Sequence, residues 1–192
     1  MEAPLLRRPD PRSPLQTPSV IVLMGVSGCG KTTTGKRLAK ALGWPFRDAD
    51  EFHPPANIAK MASGQPLDDA DRAPWLAAIA TWIDGQRESG THAIVSCSAL
   101  RRAYRKVLIG HRDDVALVYL KGSLAVIGDR LSRRRGHFMP PSLLKSQFAT
   151  LEEPTPEERP LVLSVRLPPK RIAERIVASF ALQPTRRIAT AD

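Results

Sequence analysis

The residues best suited to chemistry form a glycine-rich loop near the beginning of the chain. Positions 25–32 read GVSGCGKT and fit the phosphate-binding P-loop pattern. Its glycines let the backbone turn N–H groups inward around an anion, and the positive end of the following helix points at the same place. Lys31 can reach β- and γ-phosphates, while the Thr32 hydroxyl can ligate the accompanying Mg²⁺. The loop predicts binding of a nucleoside triphosphate such as ATP.

The segments on either side give this loop its strand-loop-helix context. The apolar run at 20–24 predicts a buried parallel strand, and 32–42 predicts a helix. A turn that only links these two elements is the alternative, which the Gly-Lys-Thr ending disfavours. The residues assigned to the nucleotide are Gly25, Val26, Ser27, Gly28, Cys29, Gly30, Lys31, Thr32 and Thr33.

A second group of candidate residues follows the short predicted strand at 44–47. Asp48 and Asp50 are two residues apart, so on an extended segment both project toward the same side. Phosphoryl transfer needs one carboxylate for the magnesium shell and one to accept the proton of the attacking hydroxyl. The alternative is a solvated strand end or a helix cap.

Further strands and helices alternate along the chain, with predicted strands at 93–95, 115–120 and 161–165. Predicted helices follow at 98–110, 124–133 and 168–181, and Asp71 is the expected cap of a long helix. The aromatic residues of that long helix, Trp75 and Trp82, are interpreted as core. This alternation predicts an α/β fold with a three-layer, doubly wound parallel sheet, whose ligands bind at the carboxyl ends of the strands.

Length and composition fit one domain of this kind. The chain has 192 residues; 20–182 are assigned to one P-loop domain, with a disordered, Pro-rich tail at 1–19 and a flexible tail at 183–192. The two cysteines, Cys29 and Cys97, indicate free thiols in a reducing compartment, and no segment resembles a membrane span or a secretory signal. We therefore expect a cytoplasmic protein.

The formal charge of +10 permits nucleic-acid binding. Part of the excess lies in one run, Arg130, Arg133, Arg134 and Arg135, and no basic patch interleaved with aromatic residues accompanies it. ATP and an anionic metabolite themselves require several cations. We therefore expect no specific nucleic-acid partner.

Several segments resemble the gluconokinase family. They are DADEFHPPANIAKMASGQPLDDADRAPWL at 48–76, CSALRRAYR at 97–105, VYLKG at 118–122 and RRRGHFMPPSLLKSQFATLEEP at 133–154. The resemblance implies transfer of the ATP γ-phosphate to the 6-hydroxyl of D-gluconate, by a fold similar to that of shikimate and nucleoside-monophosphate kinases. It also implies a homodimer. The Arg-rich segment at 130–141, with Gly136 as a flexible point before Pro140 and Pro141, is the candidate for a mobile lid that closes over the substrates.

The resemblance also suggests roles for individual residues. Lys31 and Thr32 match the phosphate and magnesium positions; Asp50 resembles the substrate-side carboxylate and Asp48 the metal-side one, although the two roles are exchangeable. Arg72 is placed like an arginine that holds a substrate carboxylate, or it is a surface residue of a first helical turn. The residues assigned to catalysis are Lys31, Asp48, Asp50 and, from the lid segment, Arg134.

Three of the other assignments have a structural alternative. His53 contacts the polyol or is a structural histidine; Lys60 faces the substrate or solvent; Ser98 binds gluconate hydroxyls or caps a helix. Lid cations over ATP are Arg130 and Arg134, and the lid-side contacts to the sugar acid are His137 and Gln147.

Two other functions are open at this stage. A kinase for another small anionic polyol, such as shikimate, would keep the phosphate loop and change the pocket around His53, Arg72 and Gln147. A non-catalytic nucleotide- or nucleic-acid-binding regulator would not need a general base, so the pair Asp48 and Asp50 disfavours it.

Overall fold

The computed structural model describes residues 17–132 and 141–185. Within them, five strands form one sheet in the order β2-β3-β1-β4-β5, and every neighbouring pair is parallel. The strands are β1 Val20–Met24, β2 Phe46–Asp48, β3 Ala93–Ser96, β4 Val115–Lys121 and β5 Leu161–Ser164. The helices are α1 Lys31–Leu42, α2 Pro55–Ala62, α3 Asp69–Glu88, α4 Arg102–Leu108, α5 Leu124–Ser132, α6 Pro141–Thr150 and α7 Pro169–Ser179.

Helices cover both faces of the sheet, and the alternation of side chains along β1 divides the core in two. Ile21 and Leu23 face a cluster that includes Leu38 of α1 and Ile176 of α7. Val20, Val22 and Met24 face a second cluster, which includes residues of α3 and α4. Burial on both faces explains why β1 is apolar at every position. The predicted three-layer, doubly wound architecture is confirmed.

The long helix α3 agrees with the sequence prediction except at its beginning. Trp75 is buried and Trp82 packs at the edge of the same cluster, so both belong to the core as predicted. The prediction that Asp71 caps the helix is wrong. Asp68 is the N-cap, and each of these two carboxylates accepts the backbone N–H of the other residue at 2.9 Å. Asp68 and Asp71 are both aspartates, so the sequence alone did not show which one is the N-cap and which one is its partner in the first turn.

The segment after β3 also differs from the prediction. We predicted a helix from residue 98, but α4 begins at Arg102, because Ala99 has a left-handed backbone with φ 44°. Arg105 is buried and stabilises this loop: its Nη1 donates to the carbonyl oxygens of Ala99 and Leu100 at 3.1 and 3.2 Å. Its Nε and Nη2 pair with the Glu158 carboxylate at 2.6 and 2.9 Å. The loop is thereby fixed at the carboxyl end of the sheet.

Other boundaries concern the lid and the chain ends. Of the lid predicted at about 130–141, residues 133–140 lie outside the described residues, as do 1–16 and 186–192. Helices α2 and α6 were not predicted. At the end of the described chain, Thr185 N–H donates to Leu42 O at 2.8 Å. None of the described helices is both long and apolar enough to cross a membrane.

Candidate active site

The phosphate loop joins β1 to α1 at the carboxyl edge of the sheet. Gly25 has φ 143°, and a Cβ there would lie 2.8 Å from Cys29 Sγ and 2.9 Å from Leu120 O. Only glycine satisfies both the backbone and the space at this position. Gly25 N–H donates to Ser98 O at 3.3 Å, so the loop after β3 lies directly beside the phosphate loop.

Among the described residues, the side chains of Lys31 and Gln147 hydrogen-bond to the loop backbone. Lys31 Nζ donates to the carbonyl oxygens of Gly25 and Val26 at 2.9 and 3.2 Å, so its charge lies at the loop. The amide oxygen of Gln147, from α6, accepts the N–H of Ser27 at 2.7 Å. The structure thus brings Gln147 to the phosphate loop, whereas the sequence assigned it to the sugar acid.

The predicted metal ligands lie together. Thr32 Oγ1 donates to Asp48 Oδ2 at 2.7 Å, and Asp48 Oδ1 accepts Asp50 N–H at 3.4 Å. The Asp48 backbone N–H in turn donates to Glu51 Oε1 at 3.0 Å. Asp48 therefore caps the short 3-10 helix Ala49–Phe52, as one of the two alternatives predicted, and it also faces the Thr32 hydroxyl. A hydroxyl and a carboxylate are oxygen donors of the kind that Mg²⁺ prefers.

Asp50 differs from Asp48 in its surroundings. Asp50 is an exposed residue, yet neighbouring atoms remove enough water to raise the pKa of its carboxyl group. The negative charge of Asp48 raises this pKa further, while His53 and Lys31 lower it. Asp50 therefore lies within the electrostatic reach of the phosphate-loop lysine, and it is a stronger base than an isolated aspartate.

His53 lies between Asp50 and the beginning of α3. Its ring stacks on Trp75, with centroids 4.5 Å apart, and Trp75 Nε1 donates to Ala49 O at 2.7 Å. Burial lowers the pKa of His53; the charge of Asp50 raises it and that of Arg72 lowers it. The imidazole is therefore mainly neutral at neutral pH. The stack holds its ring in place beside the candidate base.

Arg72 lies in the first turn of α3 and is partly exposed. Its Nη1 is 3.8 Å from Asp69 Oδ1, and its guanidinium carbon is 5.9 Å from the centroid of the Tyr104 ring. The charge of Arg72 lowers the pKa of His53, and the charge of Asp50 raises it, so both charged side chains act on the same imidazole. Lys60, by contrast, pairs with Asp71 and, at 3.5 Å, with Asp68, and so ties α2 to α3.

The remaining assigned residues are dispersed. Arg130 Nη2 donates to Val165 O, beyond the end of β5. Thr33 is exposed on α1. Ser98 offers its carbonyl to the phosphate loop, and its interpretation as a helix cap is wrong because α4 begins four residues later. Arg134 and His137 lie outside the described residues.

Sequence reasoning missed three residues that lie next to Arg72. Asp69 accepts Tyr104 OH and Arg101 Nη1, each at 2.5 Å. The signal was present, since Asp69 lies in DDADR while Arg101 and Tyr104 lie in ALRRAYR, both parts of segments that carried the family resemblance. Nothing in the local pattern indicated that the two segments meet.

Comparisons with known proteins agree with this geometry. The shikimate kinase family model matches residues 27–178. The gluconokinase of Gluconobacter oxydans (strain 621H) is 48% identical over 163 residues, which are 85% of this chain and 92% of that protein.

Two solved structures are similar throughout. An unliganded sugar kinase from Janibacter sp. HTCC2649 has a TM-score of 0.79 at 46% identity and covers 87% of this chain and 96% of its own. A gluconokinase from Sinorhizobium meliloti 1021 has a TM-score of 0.77 at 45% identity, and the match covers 86% of this chain and 93% of that protein. Identity at this level over most of both chains shows that this chain belongs to the gluconokinases, within the shikimate kinase family.

Proposed function

We propose that this chain transfers the γ-phosphate of ATP to the 6-hydroxyl of D-gluconate, which gives 6-phospho-D-gluconate. The observation that carries the proposal is the arrangement of Lys31, the pair Thr32 and Asp48, and Asp50 along one edge of the sheet, in a chain 48% identical to a gluconokinase. These are the groups that phosphoryl transfer requires: a phosphate cradle, a metal side and a base.

ATP binding is the task of the loop at 25–32. Its glycine-rich backbone and the N-terminus of α1 are suited to bind an anion, and Lys31 adds a full positive charge at the same place. Developing negative charge on the transferred group is stabilised there without reorganisation of water.

Mg²⁺ is the metal that this donor set fits best. We infer that the Thr32 hydroxyl and the Asp48 carboxylate, 2.7 Å apart, hold it directly or through its water shell. When bound, Mg²⁺ neutralises charge on the β- and γ-phosphate oxygens. The capping hydrogen bonds of Asp48 keep its carboxylate oriented toward Thr32.

Asp50 is the proposed general base. Its partial desolvation and the charge of Asp48 raise its pKa, which strengthens it as a proton acceptor for the 6-hydroxyl. We propose that His53, which stacks on Trp75, contacts a hydroxyl of the sugar chain. Asp50 is thus assigned to the reacting 6-hydroxyl of the substrate, and His53 to the carbon chain behind it.

Arg72 is the proposed contact for the gluconate carboxylate, and its replacement gives a direct test. In Arg72→Lys we expect KM for gluconate to rise roughly ten- to hundredfold while KM for ATP stays nearly constant. A lysine keeps the charge but loses the planar fork that matches a carboxylate, and a charge-assisted hydrogen bond is worth about 1.5 to 3 kcal/mol.

Steady-state kinetics with each substrate varied in turn would measure this effect. Arg171→Lys, at an exposed arginine of α7 that pairs with Glu174, is the matched control. An unchanged gluconate KM in Arg72→Lys would show that the carboxylate binds elsewhere.

The proposed activity is tested by coupled ATP consumption over a panel of sugar acids and shikimate. We expect D-gluconate to give the highest kcat/KM. A preference for shikimate or another anionic polyol would favour the second function, and tight ATP binding without turnover on any acid would favour a regulator.

We also propose a homodimer, as the gluconokinase resemblance implies, and a cytoplasmic location. Both cysteines are free and buried, which suits a reducing compartment, and burial raises the pKa of the Cys97 thiol to about 12. Sedimentation or light scattering of the purified chain would test the dimer.

A further inference from the structure

A cluster of four side chains joins the beginning of α3 to the beginning of α4. Tyr104 has two arginines near its ring: the guanidinium carbon of Arg72 is 5.9 Å and that of Arg101 is 5.8 Å from the ring centroid. Asp69 accepts Arg101 Nη1 and Tyr104 OH at 2.5 Å each and lies 3.8 Å from Arg72 Nη1. One carboxylate thus serves two guanidinium groups.

The charges within this cluster do not balance. Hydrogen bonding from Tyr104, together with the two arginines, lowers the pKa of Asp69, so its carboxylate is ionised. Burial, followed by the hydrogen bond to Asp69, raises the pKa of Tyr104, so the phenol is neutral. Two cations and one anion leave one positive charge, which is the complement of a single carboxylate.

The position of Arg101 relative to the candidate site is fixed by the backbone. It ends the loop that starts at Ser98, whose carbonyl accepts Gly25 N–H of the phosphate loop. The buried Arg105 holds Ala99 and Leu100 of the same loop. Arg101 itself keeps 40% of its side chain exposed, so part of its guanidinium is accessible to a ligand.

Its hydrogen-bonding capacity is also partly available. A guanidinium has five N–H donors, and among the described residues the hydrogen bonds of the Arg101 side chain involve Nη1 alone. Arg72 makes a long ion pair with Asp69, and within residues 17–132 and 141–185 its side chain makes no hydrogen bond. Both arginines can therefore donate hydrogen bonds to a further anionic partner without losing an existing short contact.

We propose that Arg101 is a second binding residue for the carboxylate of the sugar acid, beside Arg72, and that Asp69 positions both guanidinium groups. This inference rests on the proposed gluconate kinase activity and adds a residue that determines specificity. Two forks around one carboxylate would select a sugar acid over the uncharged sugar alcohol of the same length.

The test compares Arg101→Met with Arg102→Met, which removes the same charge from the neighbouring, exposed position. For Arg101→Met we expect KM for gluconate to rise roughly ten- to hundredfold, with KM for ATP nearly unchanged. Inhibition by D-glucitol, which carries a hydroxymethyl group in place of the carboxylate, should keep its inhibition constant. Arg102→Met should leave all three constants near wild type.

The outcomes separate this inference from the proposed function. If wild type phosphorylates gluconate and Arg101→Met matches Arg102→Met, the inference is overturned and the function stands. Equal weakening of gluconate and D-glucitol in Arg101→Met would also overturn it, because it would indicate a purely structural role. If wild type prefers another sugar acid, the function fails, and the same comparison with that acid and its alcohol decides the inference.

Discussion

Replacement of Lys31 by alanine is expected to lower kcat by roughly a thousandfold while the fold persists. Removal of a single neutral donor to a developing charge costs about 10²–10³ in kcat, and Lys31 carries a full charge. The side chain lies partly exposed over the phosphate loop and donates to Gly25 O and Val26 O. Its loss therefore removes charge from the phosphate site without opening a cavity in the core.

Lys36→Ala is the matched control, because Lys36 lies exposed on the same helix, about one and a half turns farther along. Steady-state kinase activity measures the effect, and circular dichroism with thermal unfolding checks the fold. A folded Lys31→Ala variant with kcat within about tenfold of wild type would contradict the assignment of Lys31 to the transferred phosphate.

The central part of the site could be predicted from sequence because its signals are local. The run at 20–24 is apolar at every position since both faces of β1 are buried, and the glycines after it permit the left-handed backbone of the loop. Asp48 ends β2, the strand next to β3, and Asp50 follows it, so topology brings both to the phosphate-loop edge of the sheet. The order of strands and helices along the chain was enough to predict that these carboxylates lie at the carboxyl edge of the sheet.

What could not be predicted depends on contacts between distant parts of the chain. The left-handed Ala99, which delays α4, accompanies carbonyl contacts to the buried Arg105. The bond between Ser27 and Gln147 spans 120 residues, and that between Asp69 and Tyr104 spans 35. Residue types at those positions suit both surface and site, and only the folded chain distinguishes them.

Replacement of Asp50 by asparagine is expected to lower kcat by about 10²–10⁴, because the amide cannot accept the proton of the attacking hydroxyl. Burial and the charge of Asp48 raise the pKa of Asp50 from its ordinary 3.8. The base acts above this pKa, so wild-type activity should fall as the pH drops through it. That decline should lie at a higher pH than for an exposed aspartate, and Asp50→Asn should lack it.

Asp48→Asn provides the comparison that separates the two carboxylates. Asp48 faces the Thr32 hydroxyl, so its loss should weaken the metal site, and excess Mg²⁺ should restore part of the activity. Excess Mg²⁺ should not restore Asp50→Asn, because that variant lacks the proton acceptor. Rates measured across pH at low and high Mg²⁺ test both expectations. Rescue of Asp50→Asn by Mg²⁺, with none for Asp48→Asn, would exchange the two roles and assign the base to the residue that caps the 3-10 helix Ala49–Phe52.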